Sequence, residues 1–461
     1  MKPDSARPFS TLAAGREEPD RLALVAAEGS WTWSRLAREV GRVVVQLEAQ
    51  GIDVSGPGGE AGSGEPIPRV AFSGDSSVDA VIFALACFEL GVTAVPLHPR
   101  WPGAVRKEVL DQIEAAAELL PGGREPGAMP KPLTFAQAAP RPEPAPEAPA
   151  AIVYTSGTSG RRKGVVLSRR AFVASAAASA ANLGWQDDDR WLLNLPLAHV
   201  GGLSVVTRCL EARRTIVIQP PGPFTAEDFA AIVDGHHVTL ASLVPTMLRR
   251  LLEHQPPWRP PAHLRAVLLG GAPTSPALLE TALARGYPVL PTYGLSEACS
   301  QVATRRPGQH PINQAASTDS RVAHVGRPLP GTEVRIAEDG EILVRGDTLL
   351  SGYFPPGTAS PIDDEGWLHT GDQGIFDAQG NLHPTGRRGD LIVTGGENVS
   401  PTGVENVLES HPDLRAACVV GIEDPEWGQV VAAAVVPRDP DHRPDLEPFL
   451  AEYLASFERP R

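Results

Sequence analysis

The sequence predicts an α/β fold: a large N-terminal domain of helix-covered, mostly parallel sheets that carries a β-rich subdomain, and a small α+β C-terminal domain. Three observations predict it. As far as Thr292, strand-like and helix-like segments alternate, which is the pattern of parallel sheets covered by helices. From about Ala323, short strands separated by glycine-containing turns take over. After Arg387 a shorter unit of mixed strands and helices begins. A chain of 461 residues also exceeds one ordinary core. The expected division is therefore 1–386 for the large domain, with the β-rich part at about 323–386, and 387–461 for the small one.

Each element has its own reason. Leu36, Val40, Val43, Val44 and Leu47 share one helical face, and Gly51 is placed to end that helix. Residues 53–68, rich in Gly, Pro and Glu, read as a loop. A strand at Arg69 to Phe72, a helix near Val78 to Leu90 and a strand at Thr93 to Leu97 follow. The stretch 121–150 is dense in Pro, Ala and Glu and reads as an extended connector. Ile152, Val153 and Tyr154 then form a short apolar strand. Helices are expected near Ala171 to Leu183, after Pro245, and at Pro276 to Arg285. Strands are expected at Thr215 to Ile218, Thr239 to Leu243, Ala266 to Leu269 and Val289 to Thr292. The β-rich part offers Glu333 to Ile336, Glu341 to Val344 and Gly374 to Phe376. The small unit offers strands at Leu391 to Thr394, Ala416 to Ile422 and Val430 to Val436, with helices near Gly403 to Ser410 and Leu446 to Ser456.

Composition narrows the function. The hydrophobic share is 42% and the charged share 21%, ordinary for a globular protein. A net charge of −14 argues against a nucleic-acid or membrane-surface binder, and no apolar run is long enough to span a bilayer. No signal-peptide apolar region follows Met1, so a reducing cytoplasm is the expected location. Cys87, Cys209, Cys299 and Cys418 lack metal-ligand spacing and read as core residues.

The chemistry begins at Tyr154-Thr155-Ser156-Gly157-Thr158-Ser159-Gly160-Arg161-Arg162-Lys163-Gly164. Glycines let backbone N–H groups close around an anion, hydroxyls add donors, and the basic cluster adds charge. This suits a polyphosphate. It is not the Walker pattern, which needs Gly where Arg162 stands. Further motifs stand at long intervals: Pro196-Leu197-Ala198-His199, Gly270-Gly271-Ala272-Pro273, Tyr293-Gly294-Leu295-Ser296-Glu297, Thr370-Gly371-Asp372, Gly386-Arg387-Arg388-Gly389-Asp390 and Gly395-Gly396. Most follow predicted strands, and in open α/β sheets such loops line the ligand crevice.

These motifs, in this order, resemble the ANL superfamily of adenylate-forming enzymes, and the likeness covers nearly the whole chain. Within it the stretches Leu195 to Arg208, Leu268 to Thr304 and Thr385 to Glu405 are most similar to the o-succinylbenzoate–CoA ligases of menaquinone biosynthesis. The resemblance implies an AMP-forming acid–thiol ligase: a carboxylic acid and ATP give an acyl-adenylate, and CoA then takes the acyl group. It implies ATP, Mg²⁺ and CoA as cofactor and co-substrates, a small-molecule carboxylic acid as partner, no nucleic acid, no membrane insertion, and leaves a homodimer open. Lys163, His199, Ser296 and Glu297 stand at the family's catalytic positions. The loop Thr155 to Gly164 would grip the β- and γ-phosphates, and Glu297 would help hold the metal, a hard cation suited to oxygen ligands. Ser296 stands where the family usually has Thr, with its hydroxyl near the α-phosphate. Asp372 and Arg387 would bind the ribose, Gly271, Ala272, Pro273 and Tyr293 would wall the adenine slot, and Gly294 would join them in holding ATP. His199 would lie beside the acyl carboxylate, Gly395 and Gly396 beside pantetheine, and Asp390 at the hinge of the small domain.

Arg208 stands nine residues after His199, where these ligases carry an arginine thought to face the substrate's aromatic carboxylate. An arginine fork suits that group. Gly201 replaces a Ser found in some of them, and Ala198-His199 lacks the Asp expected of an amino-acid adenylation domain. No lysine follows Lys163. The family's C-terminal lysine is therefore missing, and the small domain is expected to be truncated. Aryl- or acyl-CoA ligases of other specificity, and a non-catalytic nucleotide- or acyl-binding relative, remain alternatives. Each piece also has a plainer reading: His199 as a core histidine, Glu297 as a helix-start carboxylate, Asp372 as a turn residue, Arg387 and Arg388 as solvated charges, Arg208 as a cap, and Gly395-Gly396 as a hairpin turn.

Overall fold

A computed structural model describes residues 8–52, 67–119, 143–155, 162–309, 324–425 and 427–460. Most of the loop expected at 53–68, most of the connector expected at 121–150, and Ser156, Gly157, Thr158, Ser159 and Gly160 lie outside the described residues. Within them the strands form four sheets.

The expected alternation builds two of these sheets. One has eight strands in the order Ser300–Thr304, Val289–Leu295, Ala266–Leu269, Leu240–Leu243, Arg190–Leu193, Thr215–Ile218, Leu22–Ala26 and Gly29–Thr32. Its middle strands are parallel and both edge strands antiparallel. The second has six, in the order Gly352–Phe354, Lys163–Ser168, Pro149–Thr155, Thr93–Leu97, Arg69–Ser73 and Ala117–Leu119. Parallel strands covered on both faces should be apolar at every position. Thr215–Ile218 and Ala266–Leu269 are indeed buried throughout.

Helices fill the space between the sheets. Val78–Leu90 is apolar nearly all round and buried along almost its whole length, as such a helix must be. Ser77 caps its start by accepting from the Ala80 N–H, and Gly91 at φ +80° ends it. Trp33–Ala49 buries Leu36, Val40, Val44 and Leu47, while Val43 at the stripe's edge is half-buried. One apolar cluster runs through both sheets and on into Ile342, Val344, Leu368 and Leu382 of a four-stranded antiparallel sheet. The C-terminal sheet has a cluster of its own, from Ile392 and Val399 to Leu450 and Leu454.

Three expectations need correction. Cys418 is exposed, not core: it alternates with the inward Val419 on the strand Leu414–Asp424, so the pleat turns it to solvent. Thr370, Gly371 and Asp372 lie inside the strand Leu368–Phe376, and Tyr293 inside Val289–Leu295, because antiparallel partners extend both strands beyond their apolar runs. The last helix is Glu447–Tyr453, shorter than expected, and Leu454 at its end is extended. No helix among the described residues is long and apolar enough to cross a membrane.

Candidate active site

Lys163 opens the strand Lys163–Ser168 and pairs with Thr155 at the end of Pro149–Thr155. Thr155 and Lys163 thus stand opposite each other at the ends of two antiparallel strands, one on either side of the Gly/Ser/Thr run. Lys163 Nζ lies 3.9 Å from Glu297 Oε1 and 3.7 Å from the ring centroid of Tyr353. Tyr353 in turn donates its hydroxyl to Glu297 Oε1 at 2.9 Å. Burial first, then the Glu297 charge, raises the phenol's pKa, so Tyr353 stays a donor.

Glu297 sits in the 3₁₀ turn Ser296–Ala298 that follows the strand carrying Tyr293. Among the described residues no cluster of three or more His, Cys, Asp or Glu side chains could hold a metal. A single carboxylate with its Oε1 engaged fits Mg²⁺ well, because that ion commonly takes one or two carboxylates and fills its other positions with water and phosphate.

A second group lines a cleft of about 450 Å³. Gly271, Ala272 and Pro273 form one wall, Tyr293 and Gly294 the next, and Asp372, Arg387 and Asp390 the far side. Thr402 and Asn406, from the helix Pro401–Ser410, close it from the C-terminal part. Tyr293 donates to Asp372 Oδ2 at 2.7 Å, and Arg387 Nε donates to Asp372 Oδ1 at 2.9 Å. Burial raises the Tyr293 pKa well above its ordinary value, and the Asp372 charge raises it further. The Arg387 charge reaches Asp372, Asp390 and Glu297, which joins this group to the first. Gly294 is required by close approach: a Cβ there would stand 1.8 Å from the Ser300 carbonyl oxygen.

His199 is the N-cap residue of the helix Val200–Ala212, whose first turn donates to its carbonyl, but its side chain makes no capping hydrogen bond. Its ring meets His98 edge-on at 5.2 Å. His199 is exposed, yet nearby protein strips part of its hydration, and this together with the Arg100 charge lowers its pKa below 6.5. His98 is lowered too, first by burial, then by His199, Arg100 and Arg162.

Arg208, further along that helix, is 2% exposed. It forms an ion pair with no carboxylate among the described residues; its Nη2 donates to Ser300 Oγ at 3.2 Å and its Nε has no partner there. Its guanidinium lies 5.5 Å from the Trp191 ring centroid. Burial lowers its pKa to about 10, which still leaves it charged at neutral pH.

The structure thus brings Lys163 to Glu297, and Gly271 to Pro273, Tyr293, Gly294, Asp372, Arg387 and Asp390 around one cleft. Ser296 lies between the two groups in the chain. It does not bring Gly395 and Gly396 there. They form the two-residue turn between Ile392–Thr394 and Glu397–Val399, both at positive φ, with Gly395 against Trp427. Sequence reasoning missed Tyr353, His98, Ser300, Thr402 and Asn406. Tyr353 lies on a three-residue strand, too short to show a period, although an aromatic after Gly352 was a signal.

The sequence profile described as "AMP-binding enzyme" matches residues 12–354, and that described as "AMP-binding enzyme C-terminal domain" matches residues 403–461. The chain belongs to the AMP-binding enzyme family. A 2-succinylbenzoate–CoA ligase from Bacillus licheniformis is 35% identical over 96% of this chain and 92% of its own. The o-succinylbenzoate CoA synthetase of Bacillus subtilis, solved with its acyl-adenylate intermediate, matches at a TM-score of 0.81 with 32% identity, over 98% of this chain and 93% of that one. The same enzyme solved with ATP and a magnesium ion matches at 0.80 with 30% identity, over 98% and 94%.

Proposed function

We propose that this AMP-forming acid–thiol ligase acts on o-succinylbenzoate, joining it to CoA through an acyl-adenylate. The single observation that carries the acid's identity is Arg208: a buried, charged guanidinium without a carboxylate partner among the described residues. Leaving such a charge uncompensated is costly, so an anionic ligand is its natural complement. o-Succinylbenzoate has two carboxylates. One must react; the other can take the arginine.

The remaining roles follow from charge and position. The acid attacks the α-phosphorus, and pyrophosphate leaves. Both reactants are anions, so the site must neutralise them and hold them in line. Lys163, with the loop before it, would take the β- and γ-phosphates, and Ser296 would offer its hydroxyl near the α-phosphate. Glu297 would hold Mg²⁺, which offsets phosphate charge when bound. Asp372 can still accept from ribose hydroxyls, since each of its oxygens has a further lone pair, while Arg387 fixes its orientation. The slot from Gly271 to Tyr293 would take the adenine. Neutral His199 would lie beside the reacting carboxylate without competing for a proton. The domains would meet at residues 386 and 387, with Asp390 as hinge. Rotation there would carry the Gly395-Gly396 turn to the cleft for thiolate attack by CoA.

The test is thioester formation from ATP, CoA and o-succinylbenzoate, set against 4-oxo-4-phenylbutanoate, the same acid without its ring carboxylate. Expected is a preference of about a hundredfold or more for the dicarboxylate in kcat/KM, the scale of one satisfied buried charge pair. Equal use of both acids would remove the reading.

A further inference from the structure

Ser300, which meets Arg208, sits on unusual backbone. It has φ +95°, and Cys299 before it has φ +49°. Two successive side chains in the left-handed region are unfavourable unless the surroundings impose them. Three contacts do so here. The Cys299 N–H donates to the Ser296 carbonyl at 3.1 Å, closing the 3₁₀ turn. Gly294 admits the Ser300 carbonyl where a Cβ would collide. The third comes from another element: Ser175 Oγ, on the helix Arg169–Leu183, donates to the Cys299 carbonyl at 2.7 Å.

Ser175 is 3% exposed and lies mid-helix. A serine there ordinarily turns its hydroxyl back onto its own helix. This one reaches across to the turn instead, and the site described above does not otherwise use it.

We propose that Ser175 is a positioning residue for recognition of the substrate's second carboxylate: it fixes the left-handed Cys299–Ser300 turn, which aims Ser300 Oγ at Arg208 and sets the guanidinium fork. The inference rests on the reading that Arg208 receives that carboxylate. Without the Ser175 hydroxyl, the Cys299–Ser300 peptide can relax toward ordinary φ. Ser300 then leaves Arg208, and the fork loses its orientation. The nucleotide end is held separately, since Glu297 keeps Tyr353 and its carbonyl keeps the Leu350 N–H at 2.8 Å.

The experiment compares Ser175→Ala, Ser300→Gly, their combination and Arg208→Lys in the full chain. Glycine at 300 keeps the positive φ and removes the hydroxyl. For each, kcat/KM is measured with o-succinylbenzoate and with 4-oxo-4-phenylbutanoate, along with KM for ATP. Expected for Ser175→Ala is a loss of about tenfold on the dicarboxylate, mostly in KM, with the keto acid and ATP within about twofold. Ser300→Gly should match it, and the pair together should be no worse than the worse single change, as residues acting in one chain are non-additive. Ser175→Cys, which keeps the shape and a weak donor, should fall between and serves if the alanine variant unfolds. Equal losses on both acids, or multiplying effects, would overturn the inference and leave Ser175 merely structural. If Arg208→Lys abolishes the dicarboxylate preference and Ser175→Ala does not, the inference alone falls. If Arg208→Lys keeps the preference, the reading of the acid pocket falls and takes the inference with it.

Discussion

Asp372 stands directly opposite Arg387 across two antiparallel strands, and the Arg387 Nε closes on its Oδ1 at 2.9 Å. Tyr293 reaches the other oxygen from the eight-stranded sheet. One carboxylate thereby ties the β-rich sheet to the parallel sheet at the rim of the cleft. Asp372→Ala should raise KM for ATP by about tenfold or more, since hydrogen bonds to a charged group are each worth about 1.5–3 kcal/mol. Tyr293→Phe removes only a strut and should cost about threefold. Titration of both variants with AMP checks the order; a larger loss for Tyr293→Phe than for Asp372→Ala would take Asp372 out of ribose binding.

Glu297 and Lys163 make a separate prediction, because the proposed roles differ: the carboxylate for a metal, the amine for phosphate. Glu297→Gln keeps the Tyr353 hydrogen bond and removes the charge. It should require several-fold more Mg²⁺ for half-maximal pyrophosphate exchange and lower kcat by about a hundredfold. Lys163→Ala should raise KM for ATP with an unchanged Mg²⁺ requirement. An unaltered Mg²⁺ curve in Glu297→Gln would take Glu297 out of the metal site.

The sequence was legible where a single period or a punctuating residue decides. Val78–Leu90 and Thr93–Leu97 could be read because buried elements are apolar whatever their neighbours. Gly271 and Arg387 could be found because their motifs are local. What could not be read is what distance along the chain conceals. Tyr353 meets Glu297 across 56 residues, and Ser175 meets Cys299 across 124. Neither pair leaves a periodic trace. The hairpin Leu22–Ala26 with Gly29–Thr32 escaped notice as well, since its inner strand gains its place by pairing with Thr215–Ile218, far along the chain.

His98 and His199 give a pH prediction. Both have folded pKa values below 6.5, chiefly through lost hydration. As pH falls through 6.5, the unfolded chain takes up protons before these two folded imidazoles do. Stability therefore drops from about 6.5 down to the folded values and is level, for these groups, above 6.5. Melting temperatures of the wild type and of a His98→Gln, His199→Gln variant should converge in slope above pH 7, with the wild type falling more steeply toward pH 5. Parallel curves over the whole range would remove these histidines from the balance.

The last prediction concerns how the small domain is held. Glu409, on the helix Pro401–Ser410, accepts from Arg249 Nη2 at 3.1 and 3.0 Å, a contact between the C-terminal part and the helix Pro245–Glu253. Beside it, Arg415 pairs with Glu253 at 2.7 Å, and its hydrogen bond, then its charge, hold the Glu253 carboxyl below its ordinary pKa. The two pairs differ in burial: Glu409 and Arg249 are 14% and 24% exposed at their side chains, Glu253 and Arg415 35% and 48%. Solvent screens the second pair, so Glu253→Gln alone should cost well under about 1 kcal/mol and change little. Glu409→Gln takes the ion pair from a half-buried arginine, whose Nη1 keeps only the Arg415 carbonyl; this is a larger penalty and should free the small domain to leave this orientation. On the proposal that the Gly395-Gly396 turn must enter the cleft for the CoA step, the present arrangement would be the one for adenylation, so pyrophosphate exchange should fall about threefold or more while thioester formation from supplied acyl-adenylate is spared. Raising the salt concentration should mimic the change in the wild type. Small-angle scattering that stays the same for Glu409→Gln and for wild type at high salt would mean that apolar contacts, not these ion pairs, set the domain orientation.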